Sequence, residues 1–338
     1  MADAYVSSLA LIDWQSTLGR ADGTADSPCA CMLARIDRAV DKHPDFIRLP
    51  DYVELLEAIG RECRPSALAW SAGLAVGLPF GTDLGRATLG CKSLGTALHW
   101  ICQYFPLLQD ASSLRLDVDE DWTTLSYKIL DPAIWPRHED AMYTLGIYAR
   151  LIKTAAPEAW GQVQITVEAE TEQVNADLAS IVQASVVYGG SANMIRFPTA
   201  IINAPLNLAP PADPAVLKKL TSELSARKRA TPITDRTRQM IYREMNDGCV
   251  SQEHIARELG ISSRTLRRRL AAENQSFQML LDECRMQFAA LEFRTRKKLS
   301  LSDMALKLGY SEHSTFSRAF ARWAGMAPQQ YRQALAAH

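Results

Sequence analysis

The C-terminal third of the chain carries one short pattern twice, as EHIARELGISSRTLRRRL (Glu253 to Leu270) and SDMALKLGYSEHSTFSRAF (Ser302 to Phe320). In the first copy Ile255, Ala256 and Leu259 form one apolar helix face, and Gly260 follows at once. Glycine takes the left-handed conformation that ends a helix at no steric cost. Ile261 then plugs the corner, Ser262 stands as the N-cap of a second helix, and Leu266 and Leu270 are that helix's apolar contacts. The second copy repeats the device with Met304, Ala305, Leu308, Gly309, Tyr310, Ser311, Phe316 and Phe320. The offset is 49 residues up to the glycine and 50 beyond it, so the second copy has one extra turn residue. Ala256 and Ala305 coincide, and a small side chain there lets two helices cross closely. Each copy therefore predicts a helix-turn-helix.

At ~100° per residue, Arg264, Arg268 and Ala271 lie opposite Leu266 and Leu270, with Arg267 on the flank. Opposite Phe316 and Phe320 lie Ser314 and Arg318, with Ser317 on the flank and His313 near the helix start. Arginines spaced i, i+4 on a recognition helix reach guanine O6 and N7 in a major groove. Serine, threonine and histidine hydrogen-bond bases or phosphates. The candidate DNA contacts are thus Arg264, Thr265, Arg267 and Arg268 in the first copy and His313, Ser314, Thr315, Ser317 and Arg318 in the second. A solvated charged face is the alternative for such a run. Two units in one chain would enter successive major-groove faces, ~34 Å apart on B-DNA, with FQMLLDECRMQFAALEFR as the spacing helix.

Charge supports the nucleic-acid reading. From Thr221 onward there are 20 basic and 12 acidic residues, against 17 and 26 before it, although the whole chain of 338 residues sums to −1. A basic tail on an acidic body suggests a polyanion partner for the tail alone. The joint falls near NAPLNLAPPADPAVL, whose four prolines deny helix and sheet hydrogen bonds. We expect residues 1–205 to form an α+β effector-binding and dimerisation domain, 206–230 a linker with a short helix, and 231–338 an all-α DNA-binding domain of about seven helices. In the first part, Tyr52, Leu55, Leu56 and Ile59 repeat with helical period, and SLGTALHWICQYF and EDAMYTLGIYARLIKTA read likewise. LRLDVDEDWTTLSYKIL alternates as two antiparallel strands around Asp119–Asp121, and GQVQITVEA and SANMIRFP read as further strands.

The run SLSDMALKLGYSEHSTFSRAFARWAGMAPQQYR (Ser300 to Arg332) resembles the signature of the AraC/XylS family of bacterial transcription regulators. The matching residues are Gly309, Tyr310, Ser311, Phe316, Arg318, Phe320, Gly325, Pro328, Tyr331 and Arg332. The first recognition helix, SSRTLRRRL, is richer in arginine than the family pattern, which points to phosphate-weighted contacts. SLGTALHWICQYFPLL and VVYGGSANMIRFPTAIINAPLNL resemble the sensing domain of the ornithine-utilisation and VirS-type subgroup. That resemblance implies a small-molecule effector, a homodimer and contact with RNA polymerase, with activation the more expected output.

Other chemistry is sparse. No G-x-S-x-G, G-x-G-x-x-G, P-loop or H-E-x-x-H occurs, so no enzyme activity, cofactor or metal is expected. The seven cysteines show no C-x-x-C and read as reduced thiols. The N-terminus lacks a basic start before its apolar stretch and no apolar run approaches ~20 residues, so a cytoplasmic protein without membrane contact is expected. His99 reads as a satisfied structural histidine, and Trp122 and Trp160 as packing. Trp70, Trp100, Tyr104, Trp135 and Tyr143 are the candidate effector contacts, with Phe105 and Tyr148 as further aromatics for a ligand pocket. The alternative is a first domain that only dimerises or binds another protein.

Overall fold

The computed structural model describes residues 4–11, 14, 28–63, 67–76, 82–170, 178–206, 208–245, 250–296 and 299–336. The chain divides into two compact units: a larger one that takes the chain up to Ile129 together with Ile134–Lys228, and a smaller one that takes Arg229 onward with Leu130–Ala133.

The larger unit is α+β, as its mixed periodicities predict. Its elements run β1 (Tyr5–Ser7), α1 (Pro28–Lys42), β2 (Phe46–Arg48), α2 (Leu49–Glu62), α3 (Leu68–Val76), α4 (Asp83–Leu89), α5 (Leu94–Tyr104), β3 (Ser112–Val118) and β4 (Trp122–Ile129). They continue as α6 (His138–Ala155), β5 (Gln164–Thr166), α7 (Leu178–Val182), β6 (Ser185–Val187), β7 (Asn193–Pro198) and α8 (Pro214–Ala230). The main sheet has the order β3-β4-β7-β5-β6, antiparallel except for β5–β6. The β3–β4 hairpin closes on the acidic turn: Asp119 Oδ1 accepts from the backbone N–H of Asp121 (3.0 Å) and of Trp122 (2.7 Å). Such side-chain-to-backbone bonds are why aspartate favours turns. Strand β4 then alternates half-buried and buried residues, with Leu125, Tyr127 and Ile129 turned into the core.

Helix α6 is buried along most of its length and crosses α3 at two glycines. A Cβ on Gly73 would stand 2.2 Å from the Tyr143 carbonyl oxygen, and one on Gly146 2.6 Å from that of Trp70. The backbones touch there, which no residue with a Cβ permits. His99 departs from expectation. It sits on the exposed face of α5, because Ala97, Leu98 and Ile101 take the core-facing positions. Cys249 lies outside the described residues; the other six cysteines are free thiols. Among the described residues no helix is long and apolar enough to cross a membrane.

The smaller unit is all helix among its described residues: α9 (Ile233–Glu244), α10 (Gln252–Glu258), α11 (Ser263–Ala272), α12 (Phe277–Thr295), α13 (Leu301–Lys307), α14 (His313–Ala324) and α15 (Pro328–Ala336). Its core takes Ile255, Ala256, Leu266 and Leu270 from the first copy and Met304, Ala305, Phe316 and Phe320 from the second, with Leu280 and Cys284 of α12.

Candidate nucleic-acid interface and a pocket in the larger unit

Both turns of the repeat have the same backbone. Gly260 and Gly309 are left-handed, with φ of +69° and +78°. Gly260 N–H donates to Arg257 O (2.9 Å) and Ile261 N–H to Ala256 O (3.0 Å), while Gly309 and Tyr310 donate to Leu306 O and Ala305 O, both at 2.9 Å. These bonds satisfy carbonyls that a helix end leaves without partners.

The helix starts differ. Ser262 caps α11, its Oγ accepting from Thr265 N–H at 3.2 Å. The extra residue of the second copy moves the start of α14 onward. Glu312, not Ser311, is its N-cap, and it makes no side-chain capping bond. Ser314 Oγ instead donates to Glu312 Oε2 at 3.1 Å.

Arg264, Arg267 and Arg268 of α11 are exposed, as are His313, Ser314, Thr315 and Arg318 of α14; Thr265 and Ser317 are half-buried. Thr265 Oγ1 lies 2.9 Å from Ser262 Oγ. Other arginines of this unit are neutralised: Arg238 by Asp235 (2.9 Å), Arg296 by Glu292 (3.4 Å) and Arg322 by Asp282 (3.1 Å). Arg264, Arg267, Arg268, Arg269 and Arg318 have no hydrogen bond or ion pair among the described residues. Both second helices therefore offer guanidinium groups that no carboxylate among the described residues holds.

The signature residues behind α14 hold the fold together. Phe320 packs edge-on to Phe293 (5.6 Å) and Tyr331 (5.3 Å), and lies 5.7 Å from Phe316. Gly325 ends α14 in the left-handed conformation, with φ +71°. Arg332 lies 4.8 Å from the Phe293 ring and donates to Leu299 O at 2.7 Å.

The larger unit holds a partly open pocket of about 70 Å³, whose walls include Phe105, Leu108, Gln109, Tyr143, Ile147 and Tyr148. Of the five aromatics expected at an effector site, Tyr143 stands on this wall. The other four are placed elsewhere, each for a visible reason. Trp70 is fully buried, its ring 6.4 Å from Trp160 where α3 crosses α6. Trp100 and Tyr104 pack together at 6.3 Å, and Tyr104 Oη bonds Thr221 Oγ1 of α8 at 2.8 Å. Trp135 is half-buried with the Arg137 guanidinium 5.6 Å from its ring centre.

Sequence reasoning missed Gln109. It is 6% exposed, and its Nε2 donates to Tyr127 Oη and to Ser112 Oγ, both at 2.7 Å. Tyr127 in turn donates to Asp140 Oδ2 at 2.6 Å. Burial pushes the Asp140 carboxyl up to about 7. Burial and the neighbouring Glu57 charge push Glu139 up to about 7 as well. Burial also pushes His138 down to about 4, so its imidazole is neutral at pH 7. The signal for this network was faint: one amide in PLLQD, one tyrosine on the inward face of a strand, and one acid in the first turn of α6.

Comparison with known proteins agrees with this division. The profile described as the arabinose-binding domain of AraC transcription regulator, N-term, matches residues 26–206, and a helix-turn-helix domain profile matches residues 255–334. The ornithine utilization regulator of Pseudomonas aeruginosa is 26% identical over 84% of this chain and 84% of its own length. The HTH-type transcriptional regulator VirS of Mycobacterium tuberculosis is 27% identical over 85% and 84%. Among solved structures, the transcriptional regulator CdpR from Pseudomonas aeruginosa covers 84% of this chain and 92% of its own at 23% identity, with a TM-score of 0.38. With a profile covering more than half its length and a doubled helix-turn-helix behind it, the chain belongs to the AraC family of DNA-binding transcription regulators.

Proposed function

We propose that this regulator reads promoter DNA through α11 and α14 and is controlled by a small-molecule effector held in the larger unit. The observation that carries the first half is the set of unpartnered guanidinium groups on both second helices. Arg264, Arg267 and Arg268, with Thr265, serve the first groove segment; Arg318, with His313, Ser314, Thr315 and Ser317, serves the second. Arginine free of carboxylates is ready for bidentate contact with guanine or phosphate.

Control by an effector draws its support from one segment. Residues 104–110 line the cavity through Phe105, Leu108 and Gln109. The same segment grips α8 through Tyr104, through Leu107 O (3.4 Å to Arg227 Nη1) and through Asp110 (2.8 Å to Arg227 Nη2). Leu220 and Leu224 of α8 pack with Leu84, Ala87 and Tyr104. Helix α8 leads directly into the DNA-binding unit, so an occupant that shifts the segment biases the helix at the unit's root. A homodimer, polymerase contact and activation as the output complete the reading, on family grounds.

Footprinting of the full chain on its neighbouring promoters, with and without candidate small molecules, tests it. A protected site of two groove segments that changes with a small molecule is expected. Protection that no compound alters, with a flat thermal-shift screen, leaves the larger unit as a dimerisation or interaction module. No protection at any promoter sinks the reading whole.

A further inference from the structure

Resting on the effector reading above, one property of the occupant can be deduced from hydrogen-bond direction. The chain of hydrogen bonds ends on Asp140 as its acceptor, 1% exposed and ionised above its raised titration range. A carboxylate only accepts, so Tyr127 Oη gives its proton to Asp140 Oδ2 (2.6 Å) and can only accept from Gln109. Ser112 Oγ donates to Asp110 O (3.1 Å), so it too accepts from Gln109. While Asp140 is ionised, above about pH 7, both neighbours therefore demand the amide nitrogen, which orients the Gln109 side chain. Its carbonyl oxygen, Oε1, has no hydrogen bond among the described residues and is not among the polar atoms sealed off without a partner. Gln109 lines the cavity, while Tyr127 and Ser112 do not. With its nitrogen committed to Tyr127 and Ser112, the oxygen is the polar side-chain atom that Gln109 has left to offer the pocket, beside Phe105, Leu108 and Ile147 and the hydroxyl-bearing Ser7, Thr144 and tyrosines of the lining.

We infer that the cavity takes a small, largely apolar molecule carrying a hydrogen-bond donor, an O–H or N–H, which it presents to Gln109 Oε1. The nearby hydroxyls of Ser7 and Thr144 can turn to give or accept a proton. Gln109 cannot, so it sets the preference. An isomer that can only accept leaves Oε1 without a partner once water is displaced, and leaving a buried acceptor unmet is costly.

A matched pair of probes tests this in the full chain: isobutanol, a donor, against its isomer isopropyl methyl ether, an acceptor only. Methyl NMR of Leu108 and Ile147 reads occupancy directly. Isobutanol is expected to shift these signals saturably with about fivefold tighter affinity than the ether, and Gln109→Met should bring the ratio close to one. Equal affinities in the wild-type protein overturn the donor rule while leaving the cavity as the effector site. A preference that survives Gln109→Met overturns the assignment to Gln109. Saturable shifts from neither probe overturn the rule together with the cavity on which it depends. Should Gln109→Met lose its fold, the wild-type comparison still decides the donor rule. Gln109→Glu, which keeps the acceptor oxygens but carries no amide nitrogen, then replaces it as the probe of the assignment, and a donor preference that does not change there overturns it.

Discussion

The two copies of the helix-turn-helix share a backbone and differ in chemistry. Their glycines, turn hydrogen bonds and core positions coincide. Their second helices do not: α11 carries Arg264, Arg267, Arg268 and Arg269, whereas α14 carries one unpartnered arginine, Arg318, among His313, Ser314, Thr315 and Ser317. A helix crowded with cations gains affinity from any duplex through counterion release. A helix with one arginine and several short polar groups has more to gain from base edges. On the proposed reading, the repeated scaffold would then serve two roles, the first copy to hold and the second to discriminate.

The largest effect should come from the shared core. Phe316 and Phe320 stand where the first copy has Leu266 and Leu270, all four fully buried. Phe320→Ala removes a ring that touches Phe293, Phe316 and Tyr331 and should cost about 3–5 kcal/mol. Leu270→Ala should cost about 2–5 kcal/mol. Denaturant titration of the two variants measures whether the aromatic copy is the firmer half, and equal losses would erase that difference.

Next is the division of labour. Arg318→Ala should weaken binding to the cognate promoter by about 1–3 kcal/mol and narrow the gap to scrambled DNA. Removing Arg267 and Arg268 together should weaken both sequences alike and flatten the dependence of log K on log salt by about two units. Gel shifts at several salt concentrations separate these outcomes. If the double variant loses discrimination while Arg318→Ala loses only general affinity, the roles are reversed.

The unequal legibility of the two units has a physical basis. In the smaller unit each helix buries one stripe against its neighbours, so periodicity and glycine stops reveal it. The exposed arginines were legible for the same reason, since a helix face is set by spacing. In the larger unit α1, α3 and α4 went unread. Helix α3, LAWSAGLAV, is apolar nearly all round, so no stripe marks it, and its tight crossing with α6 depends on two glycines 73 residues apart. Aromatic content alone does not say which rings meet: of the aromatics named, Phe105, Tyr143 and Tyr148 line the pocket. Tyr143 reached the wall, while Trp70 went to a helix crossing and Tyr104 to the root of α8. Gln109 has its role only through Tyr127 and Asp140, residues 18 and 13 positions further along at each step.

The larger unit should also differ from the duplicated one in its response to pH. Asp140 and Glu139 are raised to about 7, chiefly by burial, so between their ordinary values of 3.8 and 4.5 and about 7 these two carboxyls hold more protons in the folded chain than in the unfolded one. Stability contributed by these acids is therefore greatest at low pH and falls as pH rises through about 7. His138, lowered to about 4 from 6.5, acts in the opposite sense, adding stability as pH rises to 6.5 and nothing more beyond it. From pH 6.5 to 8 the acids alone should act, and melting of the larger unit should drop across that window. Asp140→Asn should flatten the fall, because the amide has no charge to bury. A fall of unchanged steepness in that variant would assign it to other groups.

The smallest expected effect returns to the one place where the two backbones part. Ser262 caps α11 with a hydrogen bond to Thr265 N–H, and Glu312 leaves the matching N–H groups of α14 without a side-chain acceptor. Ser262→Ala should thus cost about 1 kcal/mol. Glu312→Ser should restore a short acceptor at the start of α14, but it also removes a negative charge that favours the positive end of the helix dipole, worth about 0.3–1 kcal/mol. The gain should therefore be a few tenths of a kcal/mol at most. Glu312 also accepts from Ser314, which stands on the face proposed to meet DNA. A second copy that discriminates bases has reason to keep a weaker cap if the carboxylate orients that serine. The decisive result is a split in Glu312→Ser: unchanged or slightly higher melting with a reduced preference for the cognate promoter. A variant that is more stable and equally selective would show that the missing cap is incidental, and the second helix would have lost nothing by sharing the start of the first.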